Sequence, residues 1–230
     1  MKKLLKKDFL LFLKIGGPLL CLVVSFITPI ICCVIYSDFD TSLVKPLLST
    51  SLVFMSPMAI SIIISLLLTS SFAIEIKDRT IIYLLANGFR QQDVWMSKLI
   101  AAFVCSYITL CVSNLIFEVA VYIQWGIWMD FSIESILLMM IIFPFISLVF
   151  SGVLWFVMWV TKSLGSMIAG IFPTGLYMFS MIFCQKLVEK NIDINWYFVI
   201  AVLFVTFVIL FFLGVGVNKV SKEYWVNIHR

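Results

Sequence analysis

Apolar residues run along the chain in long blocks separated by short polar links. A helix that crosses a bilayer takes about 20 mainly apolar residues. Blocks near that length lie at about 15–36, 47–72, 99–123, 135–160, 167–184 and 196–217, which predicts six spans. Ahead of them, MKKLLKKDFLLFLK sets Lys2, Lys3, Lys6 and Lys7 against Leu4, Leu5, Phe9 and Phe12. That pattern predicts a basic amphipathic helix over 1–14, lying in a membrane interface. The apolar run behind it is too long for a signal peptide and no small-residue cleavage site follows, so the segment is expected to be retained. Residues 218–230 form a polar tail. The expected fold class is an all-α integral membrane protein with six transmembrane helices.

Composition agrees with the pattern. The chain is 63% hydrophobic and 12% charged, with 22 Phe and a mean hydropathy of +1.15. That lies far outside soluble globular usage and leaves no room for a sizeable soluble domain. If both termini share one side, that side holds 13 of the 16 Lys and Arg, and the other side holds Lys45, Lys186 and Lys190. The bias places both termini and the 73–98 link in the cytoplasm. Trp125, Trp128 and Trp196 fit an aromatic belt at the opposite interface. The six Cys all sit within apolar segments without metal-ligand spacing, and the one His is His229. They read as packed thiols, with no metal site. Four lysines interleaved with leucine before a span point to anionic lipid headgroups as partner, and no nucleic acid is expected.

The 73–98 link stands apart, with Glu75, Lys77, Asp78, Arg79, Arg90, Asp93 and Lys98 between two apolar blocks. A bilayer core does not hold that charge density, so the link is expected in water or against a soluble partner. TIIYLLA, Thr80 to Ala86, reads as a short apolar helix with Asp78 near its positive end and Asn87-Gly88 stopping it. A second helix starts near Arg90 and runs through Lys98 into the third span. An apolar short helix there would expose its side chains unless covered, which marks a partner site.

Glu75, Thr80 five residues on, Leu84-Leu85, the turn at Asn87-Gly88, Arg90 and Lys98 entering the next span together resemble the signature of ABC-2 type permeases. The chain departs from it at Arg79, where a Gly is common, and at Gly88, where a Pro is common. The resemblance covers about 27 residues. It implies the transmembrane subunit of an ABC transporter in the cytoplasmic membrane, pairing with a second permease subunit as a homo- or heterodimer. Each subunit would dock a separate cytoplasmic ABC ATPase, two copies in all, through a coupling helix at Thr80 to Asn87. Glu75, Asp78, Arg79, Thr80, Leu84, Leu85, Arg90 and Lys98 would make the ATPase-partner contact. Small stand-alone permeases of this style resemble bacterial ones that export antimicrobial peptides or give immunity to them, which implies a hydrophobic or amphipathic cargo.

The chain holds no G-x-x-x-x-G-K-[ST] loop, so no nucleotide or other cofactor is expected in it. ATP and Mg would belong to the partner ATPase, and the chain would be a non-catalytic membrane subunit. No H-E-x-x-H or G-x-S-x-G supports a hydrolase. Inside the third span, Asn114 and Glu118 share a helix face that Cys111 extends. Glu118 would sit roughly 10 Å past the span's midpoint at 1.5 Å per residue. It is either a pathway-lining or dimer-contact acid, or an acid near the outer interface. Two other readings compete with the permease: a non-transporting membrane scaffold or regulatory subunit, and a small secondary transporter using Glu118. Co-purification of an ATPase separates them.

Overall fold

The computed structural model describes residues 2–35, 48, 60, 62–129, 131–161 and 196–219. These residues form helices: α1 (Lys2–Lys14), α2 (Gly17–Ile35), α3 (62–77), α4 (Thr80–Ala86), α5 (Gln91–Trp125), α6 (Ile133–Leu137), a π-helical turn (Leu138–Ile142), α7 (Phe143–Thr161) and α8 (Trp196–Lys219). Three stretches are long and apolar enough to cross a membrane: Gln91–Trp125, Ile133–Val157 and Trp196–Lys219. A fourth results if α1 and the start of α2, bent by 65°, are taken as one broken span. The chain is thus a helical membrane protein with three or four candidate spans among the described residues. The expected span at 167–184, half of the one at 47–72 and the tail beyond Lys219 lie outside them.

The long helix α5 is the axis of the bundle. It packs against α1, α2, α7 and α8, and α7 packs against α8. Some of its polar side chains reach a neighbouring helix. Ser113 Oγ donates to the Ser25 carbonyl and Ser25 Oγ donates to the Thr109 carbonyl, which ties α2 to α5. The main core gathers Ile63, Leu67, Phe72, Trp95, Leu99 and Trp155, with Phe72 and Trp155 edge to face at 4.8 Å.

The elbow between α1 and α2 is made by glycine. Gly16 takes φ +82°, which L-residues rarely adopt, and a Cβ on Gly17 would lie 2.7 Å from the Phe12 carbonyl oxygen. The α6–α7 span is broken differently. Phe143 N–H bonds to the Leu138 carbonyl five residues back, the π pattern. Pro144 has no N–H and leaves the Met140 carbonyl, four residues earlier, without its α-helical donor. Tyr107 Oη on α5 donates to that carbonyl at 3.1 Å. Away from the charged end, Tyr122 stacks on Trp128 at 4.6 Å, and Trp128, Trp196 and Tyr197 are exposed. This is where an interfacial aromatic belt belongs.

Candidate functional site: a buried charge cluster behind a short surface helix

Three helices meet where α5 begins. On α1, the residues at intervals of four, Leu4, Asp8 and Phe12, form the buried stripe. The middle of that stripe is a carboxylate, 1% exposed. On α3, Ser71 and Glu75 lie one turn apart and are both buried. On α5, Ser97 and Lys98 are fully buried. Their side chains converge.

Lys98 Nζ lies 3.0 Å from Asp8 Oδ1, 2.8 Å from Glu75 Oε2 and 3.4 Å from Ser71 Oγ. The contact to Glu75 Oε2 is an ion pair whose angles fall outside hydrogen-bond geometry. Ser97 Oγ donates to Asp8 Oδ2 at 2.6 Å. Lys7, the one partly solvated member, donates to Glu75 Oε1 and lies 3.4 Å from Asp8 Oδ1. Two ammonium groups and two carboxylates therefore neutralise one another. An isolated buried charge costs far more than any packing gain at the same place, so the group persists only as a set.

The far end of the chain is fastened to the same place. Arg90 caps α5 without a side-chain bond. Asn218, at the end of α8, takes over: its Oδ1 accepts from Gln92 N–H at 3.2 Å, and its Nδ2 donates to Gln92 Oε1 at 2.9 Å. One of the free N–H groups that every helix start leaves is thus satisfied from 126 residues away. The first two turns of α5 hold α1, α3 and α8 together.

In front of this hub lies α4. Its inner face is Ile81, Leu84 and Leu85, all buried, and Tyr83 points outward at 69% exposure. Asn87 Nδ2 closes the helix on the Tyr83 carbonyl at 2.8 Å, and Gly88 turns the chain with φ +84°. Arg79, at the helix start, has φ +54° and is the one non-glycine residue with positive φ among those described.

The residues expected at the partner surface divide in two. Glu75, Lys98, Leu84 and Leu85 correct the expectation, because they face the chain's own interior. The charges are buried since they are paired, and the apolar face of α4 is covered by the chain itself. Arg79 and Arg90 are exposed, and Asp78 and Thr80 line a groove against α1. Asp8, Ser71 and Ser97 belong to the cluster without a role in the sequence reading, and Lys7, expected on the basic face of the amphipathic helix, turns inward to Glu75. Asp8 carried a signal all the same, being the only acid before Asp38 and set four residues from both Leu4 and Phe12.

In the membrane-spanning part of α5, Tyr107, Cys111, Asn114 and Glu118 lie on one face. Asn114 Nδ2 approaches Met139 Sδ at 3.6 Å and Met140 Sδ at 3.7 Å, so this face looks onto the π-helical turn. Glu118 is half-buried. Among the described residues, no group of three or more His, Cys, Asp or Glu side chains is placed to hold a metal ion. No family model matches the chain, and no curated protein or solved structure is significantly similar to it.

Proposed function

We propose that the chain is the transmembrane permease subunit of an ABC-2 type transporter, with α4 as the helix that meets a separate cytoplasmic ATPase. The observation that carries this reading is α4 itself, a short helix anchored by Ile81, Leu84 and Leu85 that presents Tyr83 outward between two long helices. Arg79 and Arg90 flank it, exposed. The contact set is then Arg79, Tyr83, Asn87 and Arg90. Glu75 and Lys98 act behind the contact, fixing α3 and α5 to α1.

A push on α4 would reach the spans through rigid parts. α3 and α5 enter and leave α4 through turns of only a few residues, and the charge cluster joins both to α1. ATP and Mg would stay in the partner, with two permease subunits and two ATPases forming the exporter. The cargo is a hydrophobic or amphipathic molecule, a peptide or a lipid-like one. Regulatory scaffolding remains the second use of the same surface.

The test is co-expression of the chain with its neighbouring genes, purification in detergent and measurement of ATP hydrolysis in the purified material. The wild-type chain is expected to bring down the ATPase. Tyr83→Asp is expected to lower recovery on the order of tenfold, as loss of one exposed aromatic anchor does at interfaces. Recovery of no ATPase with the wild type overturns the proposal.

A further inference from the structure

Between α1 and the end of α3 runs a groove of about 270 Å³, lined by Lys7, Leu10, Leu11 and Lys14 on one wall and by Ile74, Glu75, Asp78 and Thr80 on the other. Lys7 and Glu75 are committed to each other at its base. That leaves the Lys14 ammonium on one wall and the Asp78 carboxylate on the other. Both are exposed, and they lie too far apart to pair. The groove therefore offers one positive and one negative group across a gap, and calls for a ligand with the opposite arrangement.

Its position limits what that ligand is. α1 departs from the line of α2 by 65°, and α2 packs along α5, one of the helices long and apolar enough to cross a membrane. Beside the groove α1 exposes Leu10 and Leu13, at 48% and 58%, so its apolar edge continues onto a bare apolar strip. A basic helix with such a strip lies along the headgroup level. We propose that the groove holds the headgroup of a zwitterionic phospholipid with a primary amine, the phosphate toward Lys14 and the ammonium toward Asp78, with the glycerol and acyl region along Leu10 and Leu13. An anionic headgroup such as phosphatidylglycerol would satisfy Lys14 and set its charge against Asp78. A choline headgroup has no N–H to give the carboxylate. The inference rests on the membrane setting of α1 and not on the transporter reading.

The full-length chain is purified in detergent, stripped of lipid and offered equimolar phosphatidylethanolamine, phosphatidylcholine and phosphatidylglycerol of matched acyl chains. Bound lipid is counted by native mass spectrometry. Phosphatidylethanolamine is expected to be retained over the other two on the order of tenfold, the gain of a charge-assisted hydrogen bond. Asp78→Asn is expected to erase the preference over phosphatidylcholine, and Lys14→Gln to weaken all three lipids alike. Both positions are exposed, so the fold is retained, and helical circular dichroism checks it. Equal or tighter binding of phosphatidylglycerol by the wild type overturns the proposal, as does an Asp78→Asn chain that keeps its preference.

Discussion

Lys98 is the residue on which the charged end of the bundle turns. It is 0% exposed, and it touches both buried carboxylates. Lys98→Met would leave Asp8 and Glu75 facing each other with only Lys7 to offset them. Removing one partner of a buried charged set destabilises by roughly 3–5 kcal/mol. Thermal unfolding in detergent should show that loss, and Asp8→Leu with Glu75→Met in the same chain should recover most of it. A loss under about 1 kcal/mol would mean that the ammonium is solvated. Arg79 offers the opposite case. Its φ of +54° is costly for any residue with a Cβ, by roughly 1–2 kcal/mol. Arg79→Gly should therefore raise stability by up to about 1 kcal/mol, less the backbone entropy that glycine returns to the unfolded chain. Position 88 does not accept proline in this conformation, since φ +84° is out of reach of the pyrrolidine ring.

At the level of elements, the helices with a local cause were readable in the sequence and the joints between them were not. Thr80–Ala86 is an apolar run between a charged turn and Asn87-Gly88, and it folds as a helix over those residues. The helix expected to start near Arg90 runs on through Lys98, so α5 begins eight residues before the apolar block expected as the third span. The sequence puts Glu75 and Lys98 in water or against a soluble partner because charge density is a local quantity, whereas their neutralisation is not. Asp8 lies 90 residues from Lys98, and Lys7 lies 68 from Glu75. A single sequence has no means of pairing them. The π-helical turn was hidden for the same reason. Pro144 predicts a break, but its form depends on Tyr107, 33 residues away, supplying the donor for Met140. Tyr107→Phe should cost about 1 kcal/mol, the usual net value of one hydrogen bond. Unfolding of the variant beside the wild type checks it, and an unchanged midpoint would mean that another donor serves that carbonyl.

For the whole molecule, the arrangement is a bundle around α5 that is closed at one end by a neutral charge cluster and the Asn218–Gln92 pair. Outside that closed end sits α4, fixed along one face and bare along the other. The proposal that this bare face receives an ATPase makes a claim about direction: residues one position apart should behave differently. Tyr83 points out at 69% exposure, and Leu84 points in at 8%. The measurement is photo-crosslinking in cells that also express the ATPase recovered with the chain, with a photoreactive phenylalanine analogue placed at 83 in one chain and at 84 in another. The account predicts a covalent product with the ATPase from position 83 and none from 84. Crosslinking from neither, or equally from both, would contradict it.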